Sequence, residues 1–546
     1  MRPFPKGRQV DDVALAEVRA TLGLSDSDAS LPADMLIEYL HRLQDRYHAL
    51  FERHLVALAD LTRLSLTEVY EVATFYAHFD VLGDDDEPAA LTIRICDSVT
   101  CALMGGEALA DRLEDHFGDD VRVVRAPCMG RCATAPVVEV GHNAIDQASD
   151  AEIVAAVERG AISPDVPGYT DLAGYRATGG YDLLQACRSG RRTRDGVTTI
   201  IAESGLRGLG GAGFPVAQKW RAVASFPGPR MMAVNADEGE PGTFKDRFYM
   251  ESDPHRFLEG MLIAAWVVEA AEIYIYLRDE YPAVRAILQR ELAALDEAGL
   301  IGDVQIHLRR GAGAYICGEE SAMLESIEGK RGLPRHRPPY PSEVGLFGRP
   351  TLAHNVETLH WVREIVEKGA DWFAGQGVNG SKGLRSFSVS GRVADPGVKV
   401  APAGITIREL IDDYCGGMKE GHFFAGYLPG GASGGILPAH MDDIPLDFGT
   451  LEQHGCLIGS AAIVVFSDQD DVRAIARNLM RFFADESCGQ CTPCRLGTEK
   501  ALTLMEREVW DEALLTELST AMTDASICGL GQAAPNPLLC VFKYFP

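Results

Sequence analysis

Apolar positions in the N-terminal part of the chain recur at helical spacing. Leu36, Leu40, Leu43 and Tyr47 fall on one face of a helix, with polar residues between them. The sequence SLTE that begins at Ser65 fits a capping box, which opens a helix by satisfying its first free N–H groups. This part of the chain is therefore predicted to be a bundle of helices.

Short β-rich runs follow at residues 91–96, 121–124 and 136–140, around a helical segment at residues 106–117. This alternation of strands and helix predicts a compact α/β unit. The acidic sequence GDDDEP at residues 83–88 is interpreted as the linker in front of it, because glycine, aspartate and proline favour turns.

A long α/β region is predicted up to about residue 375, then a glycine- and β-rich α+β insert with one helix at residues 407–414, then helices. Strand candidates in the α/β region are residues 231–234, 273–277 and 304–308. The most apolar stretch, residues 261–277, contains two glutamates and falls short of the ~20 apolar residues that a membrane span needs. It is interpreted as a buried helix that runs into a strand.

The length and charge of the chain narrow the choice of function. A chain of 546 residues exceeds what one hydrophobic core supports, so several domains are expected. The formal net charge of −28 disfavours nucleic acid and anionic membrane surfaces as partners. The chain opens without the basic and apolar regions of a signal peptide, so the cytoplasm is the expected location.

Eight of the 13 cysteines fall into two tight groups, which favours metal sites over disulfides in a large intracellular chain. Cys488, Cys491 and Cys494 form a C-x2-C-x2-C run, and Cys528 is the candidate fourth ligand of a [4Fe–4S] cluster. A zinc site and unligated core thiols are the alternatives, although zinc sites more often use two C-x2-C pairs.

The second group has the spacing C-x4-C followed by C-x3-C, with each pair placed just after a predicted strand. Its members are Cys96, Cys101, Cys128 and Cys132. Two thiolates from each loop suit the two irons of a [2Fe–2S] cluster, with zinc and a disulfide pair as alternatives. Two clusters in one chain predict electron transfer.

Gly208, Gly210 and Gly213 satisfy the pattern G-x-G-x-x-G, whose glycines let backbone N–H groups approach a phosphate or a flat ring. The pattern alone is also typical of a tight surface turn. The segment before it, VTTIIAES, is compatible with a helix or a strand, so the strand–turn–helix context of a dinucleotide site stays open.

Polar residues follow two predicted strands at positions where ligands bind in open α/β sheets. Carboxylates there accept hydrogen bonds from ribose hydroxyls and from flavin or nicotinamide N–H groups, whereas solvated loop charges are the alternative. The residues are Asn235, Asp237, Glu238 and Glu240 after the first strand, and Glu319 and Glu320 after the second.

These segments together resemble a known family. From about residue 175 onward the chain resembles the flavoprotein subunit of respiratory complex I and its soluble relatives. The matching motifs, in order, are GLRGLGGAGFPVAQKW, NADEGEPGTFKDR, GAGAYICGEES, RPPYPSEVGLFGRPTLAHNVET and SCGQCTPCRLGT. Residues from about 31 to 150, with VYEVATFYAHF and the second cysteine group, resemble the thioredoxin-like [2Fe–2S] partner subunit, so the two parts look fused.

The resemblance implies a multidomain α/β and α+β fold. It implies an N-terminal helical domain, a thioredoxin-like [2Fe–2S] domain, a Rossmann-like FMN- and NAD(H)-binding domain, a β-grasp insert and a helical [4Fe–4S] domain. The expected ranges are 1–85, 86–160, 161–380, 381–468 and 469–546.

The resemblance also implies the cofactor contacts. FMN is expected to lie against Gly208, Gly210, Lys219, Asn235, Asp237, Gly318, Glu319, Asn355 and Thr358. NAD(H) is expected to stack on the flavin beside Gly211, Gly213, Phe214, Glu240 and Glu320. Glu238, Tyr315 and His354 complete the expected cofactor-binding set.

Three positions depart from the family pattern. His354 stands where relatives have the first of two asparagines, and Arg337 and Tyr340 stand where they commonly have lysine and phenylalanine.

The tail SICGLGQAAPNPLLCVFKYFP resembles the β subunit of NAD-dependent formate dehydrogenases most closely. The chain is therefore expected to pass electrons from clusters through FMN to NAD⁺ as hydride, reversibly, and to show diaphorase activity. A separate catalytic α subunit with a molybdenum- or tungsten-pterin site and further clusters is expected as partner. The alternatives are the diaphorase subunit of an NAD-reducing hydrogenase, a complex I module, and an electron-transfer scaffold without catalysis.

Overall fold

The computed structural model describes residues 7–25, 30–117 and 121–546. The parts of the expected helical and thioredoxin-like domains at residues 1–6, 26–29 and 118–120 lie outside this description. No helix among the described residues combines the length and the apolar character that crossing a membrane takes.

The N-terminal part is helical, as predicted. Leu36, Leu40 and Leu43 are fully buried, and Ser65 and Glu68 form the predicted capping box. Its elements are α1 (Asp12–Leu22), α2 (Leu36–Tyr47), β1 (Leu50–Phe51), α3 (Glu52–Thr62), α4 (Leu66–Phe75) and β2 (Val81–Leu82), with β1 and β2 paired in parallel.

A four-stranded sheet with the order β4-β3-β5-β6 forms the next unit, around its own small core. β3 and β4 are parallel and the other pairs are antiparallel. The elements are β3 (Thr92–Cys96), α5 (Val99–Leu103), α6 (Gly106–Phe117), β4 (Arg122–Ala126), β5 (Val138–Val140), β6 (Asn143–Ile145) and α7 (Asp150–Glu158).

The α/β region is built on a four-stranded parallel sheet with the order β10-β7-β8-β9. Its helices are α8 (Leu172–Ala177), α9 (Asp182–Arg188), α10 (Arg194–Ser204), α11 (Val216–Ala224), α12 (Lys245–Ser252), α13 (Pro254–Val268), α14 (Pro282–Glu297), α15 (Glu320–Ile327), α16 (Val356–Lys368) and α17 (Ala370–Ala374). Its strands are β7 (Arg230–Ala236), β8 (Ala270–Leu277), β9 (Gln305–Arg310) and β10 (Thr351–Asn355). The apolar stretch at 261–277 is the end of α13 followed by β8, as predicted.

The insert is a five-stranded sheet with the order β12-β11-β15-β13-β14, in which β11 and β15 are parallel. Its elements are β11 (Leu384–Gly391), β12 (Gly397–Pro402), α18 (Ile407–Glu409), β13 (Phe424–Leu428), β14 (Leu437–Pro438) and β15 (Ala462–Ser467). A π-helical turn at Leu410–Tyr414 continues α18, which completes the predicted helix.

The C-terminal part consists of α19 (Val472–Asp485), α20 (Thr492–Met505), α21 (Glu512–Ala525), α22 (Gly529–Ala533) and α23 (Asn536–Tyr544). These helices share one large hydrophobic core with the insert and the N-terminal helices. The predicted combination of α/β and α+β units is confirmed.

Candidate functional site: a cleft between two cysteine groups

The cleft opens where the chain order of the parallel sheet reverses. From β7 the chain moves outward to β8 and β9, and then crosses to β10 on the other side of β7. The loops after β7 and β10 run in opposite directions, which opens a crevice at the carboxyl ends of these two strands. Ligands bind in such crevices in open α/β sheets. Asn235 at the end of β7 and Asn355 at the end of β10 are register partners, so both side chains stand at this edge.

The cleft has two adjoining chambers of about 410 and 260 Å³. Gly210, Asn235, Gly318 and Asn355 line both chambers and so form the wall that they share. This combined volume is in the range of pockets that enclose a cofactor or a drug-sized ligand.

The glycine loop forms one wall of the cleft. The elements on either side of it differ from those of a Rossmann dinucleotide motif. The segment before it is helix α10, so the loop joins two helices instead of a strand and a helix. Gly211 and Gly213 have φ values of +127° and +65°, which side-chain-bearing residues rarely adopt. A Cβ at Gly210 would lie 3.0 Å from Asn355 Cβ. Glycine is thus required here for close approach of the backbone to the cleft.

Asp237 carries the clearest sign of a ligand site. Its Oδ2 atom is fully buried at the cleft and has no hydrogen-bond partner among the described residues. Burial raises the pKa of this carboxyl well above its usual range. Its neighbour Asn235 is held by a bond from Nδ2 to the Gly318 carbonyl, 2.8 Å, and accepts the Asp237 N–H at 3.0 Å. A buried acceptor without a partner fits a ligand that donates hydrogen bonds, such as a flavin ring or a ribityl chain.

Glu240 is fixed by residues from two other parts of the chain. Its Oε1 accepts bonds from the Ser433 N–H at 2.8 Å and the Ser433 hydroxyl at 2.7 Å, and its Oε2 accepts a short bond from the Tyr315 hydroxyl. Ser433 belongs to the insert, and no pattern in the sequence marks it as a site residue. Burial raises the pKa of Glu240, while these three donors oppose that shift.

The second chamber carries the charged residues expected near a nucleotide. Lys219 Nζ lies 2.6 Å from Glu320 Oε1 and 2.9 Å from the Ala353 carbonyl. Arg337 forms a short ion pair with Glu319, so the arginine that replaces the usual lysine faces the same chamber. Phe214 is 52% exposed at this chamber, which leaves its ring free to cover a ligand.

His354 and Glu238 are already bonded within the protein. Trp220 Nε1 donates to His354 Nε2 at 2.7 Å, and burial lowers the pKa of His354 well below its usual value, so the ring stays neutral. Glu238 accepts bonds from the Asp246 and Arg247 N–H groups and from the Tyr281 hydroxyl, and its pKa is raised to about 7 by burial. Both residues border the chambers. Because their polar atoms are bonded within the protein, they hold the walls of the cleft in place and are less available to a ligand.

A buried cluster of charges supports the floor of the cleft. Lys245 Nζ lies 2.8 Å from Asp246 Oδ1 and 3.3 Å from Glu357 Oε2. Asp246 also accepts a bond from Asn355 Nδ2, which orients that amide toward the cleft. The sequence showed these charges but not their burial, so only their contacts in the structure reveal this role.

The first cysteine group lies against the loop that follows β7. Its four thiols are all buried, and Cys128 Sγ and Cys132 Sγ are 3.3 Å apart. The Cys128 carbonyl accepts a bond from Arg278 Nη2 at 2.6 Å, and the Gly130 carbonyl accepts one from Arg247 Nε at 2.8 Å. Four buried thiols from two loops fit the donor set of a [2Fe–2S] cluster.

The second cysteine group borders the larger chamber. Cys488 and Cys491 lie in the loop before α20, Cys494 in its first turn, and Cys528 at the N-cap of α22. Burial raises the pKa of Cys494 and Cys528 to about 11, so these thiols need a metal to hold them as thiolates. Gly529, Leu530 and Ala533 of α22 line the chamber directly after Cys528. A [4Fe–4S] cluster on this group would therefore stand next to the bound ligand.

Three protein-family models match the chain, one at each cysteine group and one at the cleft between them. Thioredoxin-like [2Fe-2S] ferredoxin matches residues 27–160, the Nuo51 FMN-binding domain matches residues 201–364, and the NADH-ubiquinone oxidoreductase-F iron-sulfur binding region matches residues 474–546.

Individual proteins match over most of their length. A subunit of the NADH-quinone oxidoreductase of Rhizobium meliloti is 40% identical over 396 residues, which cover 70% of this chain and 94% of the relative. The mitochondrial 51 kDa subunit of the NADH-ubiquinone oxidoreductase of Neurospora crassa is 42% identical over 374 residues, which cover 64% and 76%. A chain in the crystal structure of an NAD⁺-reducing [NiFe]-hydrogenase in its H₂-reduced state superimposes with a TM-score of 0.83 at 32% identity, over 94% of this chain and 92% of the other. The predicted FMN, NAD and both iron–sulfur clusters are thereby confirmed as the cofactors of this fold.

Proposed function

We propose that this chain is the NADH-oxidising and NAD⁺-reducing subunit of a formate dehydrogenase complex. The chain belongs to the family of NADH-binding flavoprotein subunits of the complex I and NAD⁺-reducing hydrogenase type. The family membership covers the NADH-binding flavoprotein with its two clusters. The catalytic α subunit with a molybdenum- or tungsten-pterin site belongs to the proposal, and so does the reversible delivery of electrons to NAD⁺.

The proposal that this chain transfers electrons is supported by the position of the cleft between the two cysteine groups. The larger chamber is lined by α22 directly after Cys528, and by the 237–246 segment, in which Phe244 packs against Cys128 and Cys132. Bound FMN supplies the exchange between a hydride and single electrons, which no side chain of this site provides.

The roles of the cleft residues follow from their contacts. The glycine loop lets the backbone approach both ring systems, and Asp237 with Asn235 offers the buried acceptor that orients the flavin. Glu240, fixed by Ser433 and Tyr315, would position the nicotinamide end of NAD(H). Lys219 would hold FMN, and Glu320, which is bonded to Lys219, would contact NAD(H). These residues bind and orient, and the nicotinamide must be held at a near-attack distance of about 3–3.5 Å from the flavin.

Replacing Glu240 with glutamine is expected to lower kcat/KM for NADH oxidation by about tenfold while FMN stays bound. Both oxygens of Glu240 accept hydrogen bonds, so a glutamine NH₂ group must either face the Ser433 N–H, which cannot accept, or turn the Tyr315 hydroxyl from donor to acceptor. Either change is expected to displace the side chain. A ferricyanide diaphorase assay measures the effect. Glu259→Gln is the matched control, because Glu259 is fully buried and also accepts three hydrogen bonds, outside the cleft. Equal kinetics for Glu240→Gln and the native protein would remove Glu240 from the nucleotide site.

The choice of formate rests on the likeness of the tail after Cys528 to formate dehydrogenase β subunits. The second candidate, the diaphorase subunit of a hydrogenase, is supported by the superposition on the hydrogenase chain. Purification of the native complex and assay of NAD⁺ reduction with formate and with hydrogen separate the two. Formate-dependent reduction with a pterin-containing partner supports our proposal, and hydrogen-dependent reduction with a nickel-containing partner contradicts it.

A further inference from the structure

Two cysteines outside both cluster groups lie side by side in the core. Cys456 Sγ and Cys540 Sγ are 3.6 Å apart, and the two residues are 0% and 3% exposed. Cys456 belongs to the insert and Cys540 to α23, so this pair joins two parts of the chain that are 84 residues apart in sequence.

The surroundings of the pair favour a thiolate. The two sulfurs share one hydrogen bond, and the Ile436 N–H and the Lys543 ammonium group stabilise a negative charge on either sulfur. These contacts lower the pKa of Cys540, whereas the same pairing and burial raise the pKa of Cys456. A thiolate beside a protonated thiol is the arrangement from which disulfides form.

We propose that Cys456 and Cys540 are a reversible oxidation site, at which a peroxide converts the two thiols into a disulfide that alters the nucleotide cleft. The Cys540 thiolate attacks one oxygen of hydrogen peroxide, which gives a sulfenic acid on Cys540 and releases hydroxide. The Cys456 sulfur then displaces the sulfenic oxygen, so that the S–S bond forms and water leaves. In total, two thiols and one hydrogen peroxide give one disulfide and two waters, and a small dithiol reverses the reaction.

The pair is connected to the cleft by a short chain of hydrogen bonds. Asn536, in the first turn of α23, donates to the Ser433 carbonyl at 2.9 Å, and Ser433 donates both of its bonds to Glu240. A disulfide requires the sulfurs to move from 3.6 Å to about 2.05 Å. Both sulfurs pack against Gly435, two residues after Ser433, since a Cβ at Gly435 would lie 2.7 Å from Cys456 Sγ and 3.0 Å from Cys540 Sγ. Closing the S–S bond is therefore expected to move the 433–435 segment and with it Glu240.

The experiment uses the full chain with its cofactors, treated anaerobically with hydrogen peroxide and quenched with catalase. Peptide mass analysis is expected to find the Cys456 and Cys540 peptides joined and two hydrogens lighter than their sum. We expect kcat/KM for NADH to fall by about tenfold and to return after addition of dithiothreitol. Cys456→Ser and Cys540→Ser are expected to resist this loss, and Cys415→Ser, a buried thiol elsewhere in the insert, to show it like the native chain.

Absence of the joined peptide after peroxide treatment would overturn the inference, and so would a joined peptide that leaves NADH kinetics unchanged. If kcat/KM for NADH falls equally in Cys540→Ser and recovers with dithiothreitol, the peroxide-sensitive group lies elsewhere and the inference is overturned. The kinetic measurement rests on the proposed function, but the peptide analysis does not. If the chain with reduced thiols never oxidises NADH, the proposed function is wrong, and the joined peptide still tests the oxidation site.

Discussion

Replacing Asp237 with alanine is expected to weaken FMN binding by about 100-fold, so that the purified chain loses its flavin and its NADH oxidation. Asp237 Oδ2 is buried at the cleft and has no partner in the part of the chain that the structure describes, which makes it destabilising in the flavin-free protein and available to a ligand. The same substitution is therefore expected to leave the thermal stability of the flavin-free protein unchanged or to raise it, as happens when a residue serves function and lowers stability.

Flavin fluorescence after desalting and a melting curve of flavin-free protein measure the two effects. Asp253→Ala is the matched control, since Asp253 Oδ1 is also buried without a hydrogen-bond partner among the residues described, but lies outside the cleft. We expect that control to keep its FMN. An Asp237→Ala protein that retains FMN through desalting would refute the assignment of this carboxyl to the flavin.

Replacing Cys528 with serine is expected to lower the iron content from about six atoms per chain to about two. The thiol at the N-cap of α22 is the only one of its group that lies outside the 488–494 segment, so the remaining three cannot complete a four-thiolate site. The [2Fe–2S] group packs separately, against Phe244 in the loop after β7, and is expected to keep its iron. Because the lost cluster borders the cleft, electron delivery to a partner is expected to cease.

Iron analysis and the visible spectrum of reduced protein check this result. Cys187→Ser is the control, because Cys187 is a buried thiol in the α/β core away from both groups. It is expected to retain about six irons per chain. A Cys528→Ser protein with a full iron content would show that the fourth ligand is another residue.

Local sequence rules predicted the parts of this structure that depend on local interactions. The capping box at Ser65 and the helix-to-strand passage at 261–277 require only neighbouring residues to form. The position of Asn235 at the edge of the sheet was also predictable, because it directly follows a predicted buried strand, whose carboxyl end lies at that edge. Asn355 was expected at the site only from the family resemblance, and the pairing of β10 with β7 places it beside Asn235.

The remaining parts of the site depend on contacts between distant segments. The bond from Ser433 to Glu240 joins residues that are 193 positions apart, and no pattern within either segment indicates it. The glycine loop followed a helix, since VTTIIAES has a periodicity that suits either element and packing decided between them. His354 lies beside Asn355, yet neighbouring strand residues face opposite sides, so its ring meets Trp220.

One chain is expected to take electrons from NADH into a flavin that lies beside an iron–sulfur cluster. Anaerobic addition of NADH to the purified chain, without any partner subunit, tests it most directly through the visible spectrum and the paramagnetic signal of reduced clusters. We predict that NADH bleaches the flavin absorption and that a reduced-cluster signal appears in the same sample. Protein with full FMN and iron whose spectrum does not change with excess NADH would contradict the account.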